Sequence, residues 1–169
     1  DFDGARRIDY PDDSLADAVA GVSRRAHVTP FAVFLAAFLV LLRQWSGTQD
    51  PVVGIPVAGR RHLETRSVVG LFVDMLVIRG DLAGRPSFVE LVRRMHATVT
   101  EAVEHQDVPF RRLVEELDPG NGPPDLPFFD IVINYTGDRQ RIPARWGDLV
   151  VEVVDLDEGT STYALTLFV

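Results

Sequence analysis

The chain has 169 residues, of which 46% are hydrophobic and 25% charged, and its formal net charge is −8. This length is enough for one domain with a sizeable core, whereas so acidic a chain lacks the basic stripe that nucleic-acid binding requires. Because cysteine is absent, thiol catalysis, disulfides and thiolate metal sites are excluded.

Two helices are predicted in the first third of the chain. At residues 11–26, apolar residues recur at helical spacing, and two aspartates lie at the favourable N-terminal end. Thr29 and Pro30 then provide a hydroxyl cap and a first-turn proline for a second helix, which ends at Gly47. Because this second helix is apolar on nearly all sides, it should form the spine of the core.

The middle of the chain predicts two strands followed by two helices. Residues 52–57 and 69–78 are rich in β-branched residues and predict strands, joined by a polar loop at 59–67. Ser87 and Glu90 form a capping box for a third helix. Its apolar face comprises Phe88, Leu91, Val92, Met95, Val99, Ala102 and Val103.

The last third predicts a short helix and three strands. Pro109 begins the helix, which runs to Leu117, and residues 119–127 form a loop rich in glycine and proline. The strand candidates are residues 128–136, 149–154 and 162–169. This order predicts an α/β layer of helices packed on a mixed sheet. Because the last candidate strand meets the chain end without a turn or polar tail, we also expect the chain to be a fragment.

No membrane segment is predicted. The apolar run at residues 31–42 is far shorter than the roughly 20 residues that cross a bilayer. The acidic chain start lacks the basic and apolar regions of a signal peptide. We therefore expect a cytoplasmic protein.

The four histidines favour structural roles. His27, His62 and His96 have no metal-binding spacing with a third ligand, so no metal site is predicted. His105 would interact well with the negative end of the third helix, and Asp107 could cap the fourth. We favour this architectural interpretation of the string at 105–107 over a catalytic one.

Charged residues near the predicted strands suggest two binding hypotheses. Asp74 lies in an otherwise apolar strand, where a carboxylate should face water, pair with a cation or line a cavity. Arg60, Arg61 and Arg66 could contact a phosphate group or an acidic protein surface. A solvated, charged turn is the interpretation that we favour for the arginines.

Three stretches resemble the signatures of one known family. They are residues 54–60 (GIPVAGR), 69–76 (VGLFVDML) and 105–114 (HQDVPFRRLV). In this order they resemble the C-terminal half of a condensation domain of nonribosomal peptide synthetases. The resemblance implies a chloramphenicol-acetyltransferase-like α/β fold, a two-layer sandwich with helices packed on a mixed sheet, of which residues 1–169 form one lobe only.

The resemblance also implies a reaction and its partners. Condensation domains join a donor acyl or peptidyl thioester to the amine of an acceptor aminoacyl thioester. Both are presented on phosphopantetheine arms by carrier proteins, so the implied partners are the N-terminal lobe and the donor and acceptor peptidyl carrier proteins. No cofactor is expected to bind the chain directly, but Arg60, Arg61 and Arg66 could contact the phosphate of phosphopantetheine or an acidic carrier protein. Because the family's HHxxxDG motif belongs to the N-terminal lobe and this chain has no adjacent histidine pair, we assign it no catalytic residue and expect the isolated lobe to be inactive.

The resemblance assigns two further sets of residues. Those expected on the substrate tunnel are Gly70, Phe72, Asp74, Ser161 and Tyr163. Those expected to form a structural motif are His105, Gln106, Asp107, Pro109 and Phe110.

The chain departs from the family pattern at four places. Asp74 and Met75 stand where asparagine and threonine are usual, so an Asp74 that faces the tunnel would favour an amine-bearing acceptor. Residues 120–128 lack an arginine that relatives tend to carry, and Ala164 replaces an aspartate.

Two other functions stay open at this point. One is a non-catalytic condensation-like module that recruits tailoring enzymes or carrier proteins. The other is an acyltransferase of the same superfamily that forms esters or amides. In either case a lobe without its partner should expose apolar surface, so we expect self-association, or stabilisation by the missing lobe.

Overall fold

The computed structural model describes residues 2–117, 128–137 and 145–169, except 153, 155, 157 and 158. The predicted loop at 119–127, which includes most of the stretch without the family's arginine, lies outside these residues. Within these residues the structure has four helices: α1 (Asp13–Ala26), α2 (Pro30–Ser46), α3 (Phe88–Glu104) and α4 (Phe110–Leu117). A short 3₁₀ turn covers Leu63–Thr65.

The described strands are short. They are β1 (Phe2–Asp3), β2 (Val52–Val57), β3 (Asp74–Arg79), β4 (Ile131–Asn134), β5 (Arg145–Trp146), β6 (Leu149–Val150), β7 (Thr160–Ser161) and β8 (Leu165–Phe168).

The main sheet is mixed and has the order β3-β2-β4-β8. Strands β2 and β3 are antiparallel, whereas β2–β4 and β4–β8 are parallel. Two antiparallel ribbons stand apart from it, formed by β1 with β7 and by β5 with β6. Helices on a mixed sheet are the α/β architecture that the sequence predicted.

The core lies between the helices and one face of the main sheet. Because side chains alternate across a strand, Leu76 and Ile78 of β3 share this face with Val53 and Ile55 of β2. Helix α2 is the spine of the core, as predicted, since Leu35 and Leu39 are completely buried. The opposite face of the sheet carries the alternate residues of the same strands.

The helix ends follow the sequence signals. The hydroxyl of Thr29 accepts a hydrogen bond from the Ala32 N–H (3.3 Å), and Gly47 ends α2 with a φ of 75°. Ser87 and Glu90 form the predicted capping box of α3. Caps depend on residues that are neighbours in sequence, which is why they were predictable.

Strand lengths were overestimated. The prediction of a strand at 69–78 was wrong at its start, because β2 ends at Val57, opposite Asp74. Residues 69–73 therefore have no partner strand, and Val69 is 100% and Leu71 90% exposed. The candidates at 128–136 and 162–169 are likewise reduced to β4 and β8. In the candidate at 149–154, β6 covers Leu149–Val150, and residue 153 lies outside the described residues.

The predicted apolar face of α3 is confirmed except at its two ends. Leu91, Val92 and Met95 are buried, and Val99 and Ala102 are half-buried against the core. Phe88 and Val103 are exposed. Among the described residues, no single helix is long and apolar enough to span a membrane. Helices α1 and α2 pass that test only as a pair, which is bent by 105° at the break.

Candidate functional site

The three signature stretches contact one another at one end of the sheet. We call the contacting residues the clasp and define it as Arg60, Arg61, Gly70, Phe72, Asp74, Asp107 and Phe110. The second signature is joined to the first by the Arg60–Gly70 hydrogen bond and to the third by the Phe110–Asp74 hydrogen bond. Arg61, the residue after the first signature, pairs with Asp107 of the third. The clasp therefore contains three of the five residues that the resemblance assigned to the tunnel.

Arg60 holds the loop between β2 and β3 together. Its guanidinium donates to the carbonyl oxygens of Val68 (2.8 Å) and Gly70 (2.9 Å), and also to that of Thr65. The same group lies 4.2 Å from the ring centroid of Phe72, which is cation–π distance. Its donors are thus engaged within the loop.

Gly59, the residue before Arg60, is required by the close packing of this loop. It has a φ of 61°, and a Cβ atom there would lie 1.8 Å from the carbonyl oxygen of Phe72. Any side chain would move the Phe72 backbone, and the left-handed conformation adds strain.

Arg61 joins the loop to the HQD string through an ion pair with Asp107. Both side chains are largely exposed to solvent, so the pair contributes little to stability. It links the loop between β2 and β3 to the segment before α4. Arg66 lies exposed at the end of the 3₁₀ turn.

Asp74 binds the start of α4. Its Oδ1 accepts hydrogen bonds from the N–H groups of Met75 (2.8 Å) and Phe110 (3.4 Å), and Phe110 is the first residue of α4. A carboxylate at that position satisfies a free donor and interacts favourably with the helix dipole. The sequence prediction gave this cap to Asp107, whereas the structure places Asp74 there and Asp107 on Arg61.

The other residues of the HQD string end one helix and begin the next. The N–H of His105 donates to the Glu101 carbonyl (3.2 Å), and the Gln106 side chain donates to the Val103 carbonyl (2.6 Å). The Pro109 carbonyl accepts a hydrogen bond from the backbone N–H of Arg112 (2.9 Å) in the first turn of α4. These contacts are architectural in kind.

An aromatic chain leads from the clasp across the sheet. The Phe110 ring centroid lies 5.6 Å from that of Phe129, which lies 6.1 Å from that of Tyr163. Phe129 is buried, and a Cβ atom on Gly54 would lie 2.3 Å from its ring. The glycine of the first signature therefore admits the Phe129 ring. This role was not predicted, because no pattern in sequence links residue 54 to residue 129.

A cleft of about 900 Å³ lies beyond this aromatic chain, on the sheet face opposite the helices. Pro56, Met75 and Val132 lie on its sheet side, and residues 3–9 and 160–168 form much of the rest. Ser161 and Tyr163 line it, and the Ser161 hydroxyl donates to the Tyr163 carbonyl (2.6 Å).

The predicted tunnel residues thus divide into two groups. Ser161 and Tyr163 lie on the cleft, whereas Gly70, Phe72 and Asp74 lie in the clasp. Met75 was missed as a lining residue, although strand alternation places it on the face opposite Asp74.

The described lining of the cleft suits binding better than proton transfer. It combines hydroxyl and amide groups with apolar side chains and includes no histidine in the described part of the chain. Carboxylates and guanidinium groups are supplied by residues 3–9, where Arg7 donates to Asp9 (2.8 Å). Nowhere in the described ranges do three His, Asp or Glu side chains form a group that could hold a metal ion.

The comparisons with known proteins agree with this architecture. The family model for the condensation domain matches residues 3–169. Phosphinothricin tripeptide synthetase PhsB of Streptomyces viridochromogenes is 42% identical over 168 residues, which cover 98% of this chain and 14% of PhsB. The chain thus spans a small part of that relative.

Two solved structures resemble the fold. The SgcC5 protein from Streptomyces globisporus has a TM-score of 0.65 at 34% identity, over 73% of this chain and 28% of SgcC5. The X-domain in complex with OxyB from teicoplanin biosynthesis has a TM-score of 0.64 at 25% identity, over 69% of this chain and 26% of the X-domain chain. Because the family match covers nearly every residue, the chain belongs to the condensation-domain family of nonribosomal peptide synthetases.

Proposed function

We propose that this chain is the C-terminal lobe of a condensation domain and forms one wall of the tunnel in which an amide bond is made. The observation that carries the proposal is the cleft on the open face of the sheet, lined by Ser161 and Tyr163. Its volume of about 900 Å³ is near the upper end of ordinary ligand sites. A cleft of that size suits an extended, thioester-linked substrate.

The reaction needs little from this lobe beyond binding. The acceptor amine attacks the thioester carbonyl, the C–N bond forms, the C–S bond breaks, and the carrier thiol leaves with a proton. The described lining of the cleft offers no histidine to move that proton, so the lobe positions substrate and excludes water. We assign the proton transfer to the N-terminal lobe, and the isolated chain is inactive.

The partners follow from the same proposal. Donor and acceptor peptidyl carrier proteins bring their phosphopantetheine arms to the cleft. Among the three arginines, Arg66 is the best candidate for contact with a phosphate, because the Arg60 and Arg61 side chains are engaged by the loop and by Asp107. An exposed guanidinium binds phosphate oxygens through charge-assisted hydrogen bonds.

A transfer assay tests the proposal. The chain is prepared alone and fused to an N-terminal lobe that carries HHxxxDG, each with a donor acyl-carrier and an acceptor aminoacyl-carrier. Intact-protein mass spectrometry then follows the acyl group. We expect the acceptor carrier to gain the acyl mass only with the fusion.

Replacement of the motif's second histidine by alanine is the control and should abolish transfer. Transfer by the isolated chain would contradict the role given to this lobe. A fusion that binds both carriers without transfer would contradict the catalytic proposal.

Two observations support second candidates. SgcC5 was crystallised in complex with a naphthyl ethanediol, which is an alcohol. If the fusion esterifies an alcohol acceptor and leaves amines unreacted, the ester-forming function is correct. The similarity to the X-domain, solved in complex with OxyB, favours a recruiting module, which would bind carriers and partner enzymes with no transfer.

A further inference from the structure

We infer that Asp74 is a positioning residue, which sets the aromatic wall of the cleft by holding the start of α4. The inference rests on the proposed function only where it treats the cleft as the substrate tunnel. Its first part concerns packing and is independent of any reaction.

The orientation of Asp74 follows from strand register. Asp74 pairs with Val57, and Leu76 pairs with Ile55. Since alternate residues share a face, Asp74 lies on the side of Leu76, which packs in the core, and Met75 lies on the side of the cleft. The Asp74 carboxylate is therefore directed away from a cleft occupant, and its Oδ1 is used by two backbone donors.

Helix α4 depends on this attachment. It has eight residues, none of them buried, and a helix that short is unstable on its own. Its charged side chains pair with one another, Arg111 with Glu115 (3.1 Å) and Arg112 with Glu116 (2.7 Å). These pairs support the helix but do not attach it to the sheet. Besides the half-buried apolar side chains of Leu113 and Val114, attachment comes from the Asp74 carboxylate, the Arg61–Asp107 pair and the Phe110 ring.

The aromatic chain carries the position of α4 to the cleft. Phe110 contacts Phe129, which is confined by Gly54 on one side and stacks on Tyr163 on another. Tyr163 lines the cleft. If the first turn of α4 moved, Phe110 would withdraw from Phe129, and the Phe129 ring that stacks on Tyr163 would lose one of the contacts that hold it in place.

This role requires a side-chain oxygen at position 74 and not a negative charge. An asparagine side-chain oxygen accepts the same N–H bonds, and both residues are good helix caps. Recognition of a cationic acceptor would instead require the charge. The Asp74→Asn substitution therefore separates the two roles.

The packing part is tested by ¹⁹F NMR on the full chain labelled with fluorotyrosine. The three tyrosines give three signals, and a Tyr163→Phe substitution identifies the one from Tyr163. We expect Asp74→Ala to shift or broaden the Tyr163 signal and to leave those of Tyr10 and Tyr135 in place. Asp74→Asn should leave all three unchanged. Phe110→Leu, which keeps Asp74, should reproduce the effect of Asp74→Ala.

An unchanged Tyr163 signal in both Asp74→Ala and Phe110→Leu would overturn the inference. It would also be overturned if Asp74→Asn and Asp74→Ala changed the Tyr163 signal equally. If Asp74→Ala does not fold, Phe110→Leu and Asp74→Asn still decide the matter. This readout requires no turnover, so failure of the proposed function leaves it valid.

The second part is tested in the fusion that carries both lobes. We expect Asp74→Ala to lower kcat on the order of tenfold, since small misplacements of substrate are costly. Asp74→Asn should keep kcat and KM within about twofold. A selective rise of KM for amine acceptors in Asp74→Asn would overturn positioning in favour of direct recognition of the amine.

Discussion

At the scale of single residues, Gly54 shows how one signature position serves packing. A Cβ atom there would overlap the buried Phe129 ring, which is held between Phe110 and Tyr163. We expect Gly54→Ala to lower the free energy of unfolding by about 1–3 kcal/mol, the usual cost of overpacking. Urea unfolding followed by circular dichroism measures the change.

Gly21 in α1 provides the matched control for this substitution. A Cβ atom there would meet only the Arg25 side chain, at 3.9 Å. Gly21→Ala should therefore stabilise the chain by about 0.5–1 kcal/mol through helix propensity. If Gly54→Ala and Gly21→Ala changed the free energy of unfolding equally, a Cβ atom at residue 54 would not be overpacked against the Phe129 ring.

The residues of the clasp mark the limit of prediction from sequence at this scale. A carboxylate in an apolar strand predicted that Asp74 would face water, pair with a cation or line a cavity, whereas it accepts hydrogen bonds from two backbone N–H groups. The identity of that partner, the Phe110 N–H, depends on how β3 and α4 meet in the fold. Local pattern alone favoured Asp107 as the cap, since it is nearer to α4 in sequence.

At the scale of elements, the capping box of α3 makes the stability of the chain depend on pH. The Glu90 carboxylate accepts hydrogen bonds from the hydroxyl and the N–H of Ser87 (both 2.8 Å), and these bonds hold the pKa of Glu90 below its usual range. A lowered pKa in the folded state adds stability that is fully present above the unfolded-state pKa. That stability is lost as the pH falls through the folded-state pKa.

Glu90→Gln tests this dependence, because glutamine keeps a capping box but does not titrate. We expect wild type to exceed Glu90→Gln in free energy of unfolding at neutral pH, and the excess to shrink as the pH falls below the usual range of a glutamate. When Glu90→Gln is introduced into a chain that already carries Ser87→Ala, the difference in free energy of unfolding that it causes should change less with pH. An excess that grows on acidification would contradict the cause assigned here.

The elements also show which signals are local. All four helices were predicted close to their observed bounds, because caps, proline and apolar spacing act within a few residues. The predicted start of β3 was wrong, because the observed start is set by the end of β2 and by the turn at Gly59. The ribbons β1–β7 and β5–β6 are held by pairing between segments that carry weak strand signals of their own.

At the scale of the whole molecule, apolar surface and charge act against each other in association. Val69 and Leu71 are 100% and 90% exposed, and Val68 and Val73 in the same segment are more than 40% exposed. Exposed apolar segments of this kind favour association. The net charge of −8 opposes it through repulsion between copies.

We expect sedimentation velocity to show self-association that increases with protein concentration and with salt. Salt screens the repulsion between copies and leaves the apolar contact in place, so association should become stronger as salt is added. An association held by ion pairs would become weaker. Val69→Ser combined with Leu71→Ser should weaken it. Tyr10→Ser, which removes an equally exposed ring at another site, should not. A sedimentation coefficient that is constant over concentration and salt would show that the 68–73 segment has no partner in a second copy of the chain.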